Sequence, residues 1–98
     1  MSVFEDIYFV VSSIPKGKVM TYKQVSEKAN IGNSRIVGFA LHANKDPFKV
    51  PCHRVIKSDK TLAKGYAFGG IKKQRERLEK EGVKFLKDKV IADYILKT

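Results

Sequence analysis

Three prolines decide where this chain can be helical. Pro15 closes the first helical run. Pro47 and Pro51 bar a helix from the middle of the sequence, because proline lacks the amide donor and pushes the residue before it out of helical geometry. Regular helix is therefore expected only before Asn44 and after Gly70. In the first stretch, Val3, Ile7, Val10, Val11 and Ile14 recur at helical spacing and predict a helix over Val3–Ile14. Pro15-Lys16-Gly17-Lys18 is turn chemistry, and Val19-Met20 is a short extended piece. Thr21-Tyr22-Lys23-Gln24 fits a capping box, with Thr21 as cap and Gln24 reaching back. It opens a helix from about Tyr22 to Ala29. Asn30-Ile31-Gly32-Asn33 is a turn, and Ser34 is the expected cap of a helix from Arg35 to about Ala43.

Beyond the prolines, Ser58-Asp59-Lys60 reads as a turn and Gly65-Tyr66-Ala67-Phe68-Gly69-Gly70 as a glycine-rich loop with two aromatics. A charged helix is expected over Ile71–Glu81, stopped by Gly82. The tail carries Val83, Phe85, Val90, Ile91, Tyr94 and Ile95, enough apolar surface to pack back on the core. The 98 residues are expected to form one domain over residues 1–98. Two short helices joined by a glycine-containing turn have the shape of a helix-turn-helix. The expected fold class is α/β and mostly helical: a winged-helix-like, helix-turn-helix DNA-binding domain with short strands near Val19 and near the cysteine.

Charge narrows the partner. Twenty Lys and Arg stand against ten Asp and Glu, a net charge of +10. That excess favours a polyanion, with nucleic acid ahead of a membrane surface. No run approaches the roughly eighteen apolar residues a membrane span needs, and Met1-Ser2-Val3-Phe4-Glu5-Asp6 is acidic where a signal peptide is basic. The one cysteine excludes an internal disulfide framework and fits a reducing compartment. A cytoplasmic location is expected, nuclear in a eukaryote. With His42 and His53 that cysteine is a poor basis for a structural zinc site, so no metal is expected. Neither GxxxxGK[ST] nor a strand-linked GxGxxG is present, and no cofactor is expected.

Cysteine is a strong nucleophile only as the thiolate. Cys52 is followed by His53, which can take the thiol proton, and by Arg54, whose charge favours the anion. Adjacency alone leaves two readings open: a nucleophile, or a buried structural cysteine, since free cysteine is among the most buried residue types. Neighbours on an extended segment point opposite ways. His53 therefore needs a bend, or a bridging water, to serve Cys52.

Pro51-Cys52-His53-Arg54-Val55 resembles the PCHRV active-site motif of the O6-alkylguanine-DNA alkyltransferases, also called methylated-DNA–protein-cysteine methyltransferases. Gly17-Lys18-Val19-Met20-Thr21-Tyr22-Lys23-Gln24-Val25 is similar to that family's G-x-V-x-[ST]-Y-x-[QE] segment. Arg35-Ile36-Val37-Gly38-Phe39-Ala40-Leu41 resembles its recognition helix. Asn44, Gly65-Tyr66, Gly69-Gly70, Leu78 and Glu81-Gly82 continue in order. The resemblance spans about Val3 to Val83. It implies a DNA-repair protein that docks in the minor groove, flips out an O6-alkylguanine and moves the alkyl group to Cys52 in a single turnover.

The resemblance also implies roles. His53 and Glu81 would form the water-linked relay to the thiol. Tyr66 would donate a proton to the guanine, and Asn44 would be the hinge that holds the helix-turn-helix to the active site. Tyr22 would crowd the phosphate of the flipped nucleotide, Arg35 would fill the gap left by the base, and Gly38 and Leu41 would belong to the DNA-facing helix. Leu41 and Val55 would be pocket wall. Ala67 and Phe68 stand where the family has a loop serine and can supply only backbone N–H groups. The implied partner is double-stranded DNA containing O6-alkylguanine, bound by a monomer.

The chain departs from that pattern. The N-terminal domain usual in the family is expected to be missing. The glycine-rich loop has one extra residue, and the helix and tail after Gln74 resemble the alkyltransferase-like proteins. Those bind alkylated DNA without repairing it and carry tryptophan where Cys52 sits. Cys52, His53, Tyr66 and Glu81 together favour the alkyl acceptor. The competing reading is a recognition module that hands damage to excision-repair proteins, and a generic basic helix-turn-helix regulator ranks last.

Overall fold

A computed structural model describes residues 2–97. Four helices, α1 (Val3–Ser12), α2 (Tyr22–Lys28), α3 (Ser34–Ala43) and α4 (Gly70–Lys80), carry most of the regular structure. Two parallel two-residue strands, β1 (Met20–Thr21) and β2 (Val55–Ile56), join the two halves of the sequence. A hairpin of β3 (Phe85–Leu86) and β4 (Lys89–Val90) follows α4.

The first three helices pack on one another through the apolar faces read from the sequence. Ile7, Val10, Val11 and Ile14 meet Val25, Val37, Ala40 and Leu41 in one buried cluster. Tyr8 adds a hydrogen bond from its hydroxyl to the Ala40 carbonyl at 2.7 Å, fixing α1 against α3. α1 stops two residues before Ile14, where the Ser13 and Ile14 amides turn back to Val10 and Val11 ahead of Pro15. The capping box at α2 is present: Thr21 Oγ1 accepts from the Gln24 amide at 3.1 Å, and Gln24 Oε1 accepts from the Thr21 amide at 2.9 Å. Asn33, rather than Ser34, caps α3. Its Oδ1 accepts from the Arg35 amide at 2.9 Å, which draws Ser34 into the helix.

The tail does pack back. Val19, Ile56, Leu62, Leu78, Val83 and Val90 form a second buried cluster, with Phe85, Tyr94 and Ile95 against it. The Val19 amide and carbonyl bond Tyr94 and Leu96. The β1–β2 register, Met20 with Val55 and Thr21 with Ile56, ties the helix-turn-helix directly to the segment that carries the cysteine.

Candidate active site

Pro51 sets the geometry. Its φ of −75° and ψ of 72° match an inverse γ-turn, and the Cys52 amide donates to the Val50 carbonyl at 2.7 Å. The chain then makes one 3-10 turn, Cys52–Arg54, closed by the Arg54 amide on the Pro51 carbonyl at 2.9 Å. This turn is the bend that an extended Cys-His pair lacks. It sends three successive side chains to three different tasks.

Cys52 is buried at the base of a cavity of about 790 Å³. Tyr22 and Leu41, Arg35 and Gly38 from α3, Lys57 after β2, and Tyr66, Ala67 and Gln74 are also in its wall. Burial pushes the thiol pKa up from its ordinary value. The Asn44 side-chain amide, the backbone and the Arg77 charge oppose that rise without cancelling it. Asn44 is itself buried. Its Nδ2 donates to the Val50 carbonyl at 2.9 Å and its Oδ1 accepts from the Asp46 amide at 3.1 Å, so the residue that ends α3 also holds the approach to the cysteine.

His53 points away from water, with 1% of its surface exposed. Its Nε2 lies 3.0 Å from Glu81 Oε2. Burial lowers the His53 pKa, the Glu81 hydrogen bond and charge oppose this, and the Arg77 and Arg54 charges add to it, leaving the ring neutral. Burial works against ionisation of Glu81, but hydrogen bonds from Arg54 and His53 outweigh it and hold the carboxyl at about 2. A carboxylate only accepts, so Nε2 carries the ring proton and Nδ1 keeps its lone pair. Nδ1 is buried and has no hydrogen-bond partner among the described residues. Cys52 and His53 share no direct side-chain hydrogen bond there.

Arg54 does not face the thiol. Its guanidinium spans Glu81 and the Ile14 carbonyl, the latter at 2.8 Å from Nη1. The cation that acts on Cys52 is Arg77, which also donates to the Tyr66 hydroxyl at 2.8 Å. Its guanidinium lies 5.4 Å from the Phe48 ring centroid. Burial raises the Tyr66 pKa, and the Arg77 hydrogen bond and charge pull against that rise.

The other sequence-derived residues divide. Cys52, Tyr22, Arg35, Gly38, Leu41, Tyr66 and Ala67 come together at the cavity, with Asn44, His53 and Glu81 behind it. Val55 is not cavity wall. It is fully buried in the first cluster, opposite Met20, and its carbonyl accepts from Gln74. Phe68 also stands outside the cavity wall, edge-on to Tyr66 with ring centroids 5.9 Å apart. Arg77 and Gln74 were not found from the sequence. The available signal was spacing: Gln74, Arg77, Leu78 and Glu81 fall on one face of α4.

The sequence profile of the 6-O-methylguanine DNA methyltransferase, DNA binding domain, matches residues 2–83. Methylated-DNA–protein-cysteine methyltransferases resemble the chain in sequence. That of Methanothermobacter thermautotrophicus is 49% identical over 74 residues, 76% of this chain and 40% of the relative. That of Saccharolobus solfataricus is 46% identical over 85 residues, 86% of this chain and 50% of the relative. The chain thus spans half or less of the length of these relatives. Among solved structures, Schizosaccharomyces pombe Atl1 in complex with damaged DNA containing O6-carboxymethylguanine superimposes with a TM-score of 0.83. It is 31% identical, covering 98% of this chain and 95% of that one. Mycobacterium tuberculosis OGT in complex with DNA gives 0.77 at 31% identity, covering 84% and 49%.

Proposed function

The chain belongs to the 6-O-methylguanine DNA methyltransferase family through its DNA-binding domain, and from that premise we propose that it is a single-turnover acceptor of alkyl groups from O6-alkylguanine in double-stranded DNA. One observation carries the reading. The buried thiol of Cys52 is followed in the chain by an imidazole whose proton is fixed on Nε2 by Glu81, leaving Nδ1 as an unpartnered base. A purely structural cysteine has no use for that arrangement.

The target atom lies inside a stacked duplex, so the nucleotide must first be extruded. The exposed Arg35 at the start of α3 fills the place of the base, and Tyr22 at the start of α2 crowds its phosphate. Asn44 keeps α3 in register with the turn that holds Cys52. His53 Nδ1 then takes the thiol proton, directly or through one water. The sulfur–carbon bond forms as the carbon–O6 bond breaks. Tyr66 donates its proton to the departing guanine, and the imidazolium returns a proton to the tyrosinate through solvent. The sum is thiol plus O6-alkylguanine giving thioether plus guanine, and the protein is spent after one turnover.

A second reading has its own support. The likeness to Atl1 covers nearly the whole of both chains. The chain could accordingly serve as a recognition module that binds O6-alkylguanine and passes it to excision-repair proteins. Intact-mass spectrometry after mixing with a duplex containing O6-methylguanine separates the two. A gain of one methyl group, absent in Cys52→Ala, establishes transfer. Tight binding of the damaged duplex with no mass change moves the protein to the recognition class. In either case affinity falls steeply with salt, because Lys and Arg displace counterions from the phosphates.

A further inference from the structure

Charge is unevenly placed on this molecule. Residues 1–15 hold Glu5 and Asp6 but no lysine or arginine, so all the cations lie beyond Pro15. Four of them gather at one edge. Lys57 and Lys60 bound the turn that follows β2, and Lys87 and Lys89 belong to the β3–β4 hairpin. That hairpin lies beyond residues 2–83, the span that matches the family profile. Backbone bonds stitch the turn to the hairpin. The Lys57 amide donates to the Thr61 carbonyl and the Val90 amide to the Lys60 carbonyl, both at 2.9 Å, and Thr61 stands opposite Lys89 in an antiparallel bridge. Arg75 fixes the hairpin to α4. Its guanidinium lies 4.3 Å from the Phe85 ring centroid, and its Nη1 donates to the Lys87 carbonyl at 2.7 Å.

The fold leaves these four charges unused. Asp59 is taken by Thr61, whose amide and hydroxyl donate to it at 3.1 and 2.6 Å. Among the described residues, no carboxylate lies within 4.0 Å of any of the four ammonium groups. Two of the lysines also occupy backbone that disfavours them. Lys60 has a φ of +74° and Lys87 a φ of +58°, turn conformations that glycine takes freely and an L side chain only at a cost. A cation kept at both turns, against backbone preference and like-charge repulsion, points to a polyanion outside the chain. The edge also adjoins the candidate active site, since Lys57, Ser58 and Asp59 are in the wall of the cavity that holds Cys52. A duplex that delivers a nucleotide to that cavity carries its backbone over this rim. We propose that Lys57, Lys60, Lys87 and Lys89 form a second DNA-binding edge, separate from α2 and α3, that holds backbone phosphates flanking the damaged nucleotide. Phosphate contacts add affinity and orientation without reading base or damage. The proposal rests on the DNA-binding reading of the chain.

The test uses three double variants and fluorescence anisotropy over a range of salt, with a duplex containing O6-methylguanine and the same duplex undamaged. Lys60→Gly with Lys87→Gly removes two charges and puts glycine at positive φ, so Tm is expected to stay level or rise. Lys57→Gln with Lys89→Gln removes two charges and leaves both of those φ positions alone. Each lost phosphate contact lowers the slope of log affinity against log salt by about 0.9. Either edge variant is therefore expected to reduce the slope by about 1–2, to weaken both duplexes alike and to keep their ratio. Lys16→Gln with Lys28→Gln, the same charge loss beside the acidic α1, is expected to keep the wild-type slope. An unchanged slope in both edge variants, or an equal change in the Lys16 and Lys28 variant, overturns the proposal. So does a loss confined to the damaged duplex. Edge variants that keep wild-type DNA binding but lose binding to phosphatidylserine vesicles assign the edge to a membrane instead. If wild type binds no DNA, the reading of the whole chain fails; if it binds DNA and only the edge variants behave as wild type, the edge alone fails.

Discussion

Arg54 holds the Glu81 carboxylate in a two-point fork, with Nε 2.9 Å from Oε1 and Nη2 2.8 Å from Oε2. His53 shares Oε2 at 3.0 Å. Two neighbours in sequence thus converge on one acid, and the acid sets the histidine tautomer only because the arginine keeps it ionised and still. Arg54→Met should lower stability by about 1.5–3 kcal/mol, the range for hydrogen bonds to charged groups. Urea unfolding measures this. Arg54→Lys should recover little of it, since an ammonium cannot make the fork.

The same cluster makes stability depend on pH in two steps. Burial lowers the His53 pKa below its ordinary 6.5, against the pull of Glu81. The unfolded chain therefore takes up a proton that the folded chain refuses, and stability falls as pH drops below about 6.5. Glu81 shifts despite burial, held at about 2 by Arg54 and His53 against an ordinary 4.5. Its contribution is complete above 4.5 and is lost as pH falls from there toward 2. Urea midpoints across this range should show both limbs. A midpoint that stays flat on going from neutral pH to about pH 5.5 contradicts the assignment of His53.

Arg77 should matter more to the leaving group than to the nucleophile. In the proposed transfer, its hydrogen bond to the Tyr66 hydroxyl would stabilise the tyrosinate left after proton donation. Guanine needs that proton as it departs, whereas iodide leaving iodoacetamide does not. Arg77→Met should slow methyl transfer from O6-methylguanine by about 10–100-fold. Alkylation of Cys52 by iodoacetamide should slow much less, reflecting only the lost charge near the thiol. Equal slowing of both reactions would count against this division of labour.

Gly69 is the position in the glycine-rich loop least able to change. Its φ is +123°, and an added Cβ would lie 2.6 Å from Lys73 Cβ and 2.8 Å from Lys73 Cγ. Gly69→Ala should destabilise the start of α4 by about 1–3 kcal/mol, visible as a lower Tm. By contrast, a Cβ on Gly65 meets nothing within 4 Å. Gly65→Ala should therefore leave Tm nearly unchanged.

The legible parts of this molecule were those encoded locally. Thr21 and Gln24 announce the α2 cap within four residues, whereas the segment around Cys52 reads as extended and instead makes a 3-10 turn over Cys52–Arg54. Asn33 displaced Ser34 as the α3 cap because two capping residues stand side by side, and sequence does not rank them. The run from Ile71 to Glu81 reads as a charged helix, and only Glu81 is given a partner, His53, by the family resemblance. Its inward face also carries Gln74 and Arg77, and the partners of all three lie 11 to 28 residues away. No local pattern specifies such pairings. The β3–β4 hairpin was also missed as a hairpin, since Lys87 turns it at φ +58° without the glycine or asparagine that usually marks such a turn.

The 28-residue separation between His53 and Glu81 has a consequence for the protein as it is made. Synthesis runs from the N-terminus, so Cys52 and His53 are joined to the chain before the acid. Until α4 arrives, nothing fixes the imidazole proton, and the thiol behaves as an ordinary cysteine. The exposed thiol of an unfinished chain is more ionised than the buried one, whose pKa burial raises, so docking of α4 orients the imidazole on a cysteine that the same fold shields.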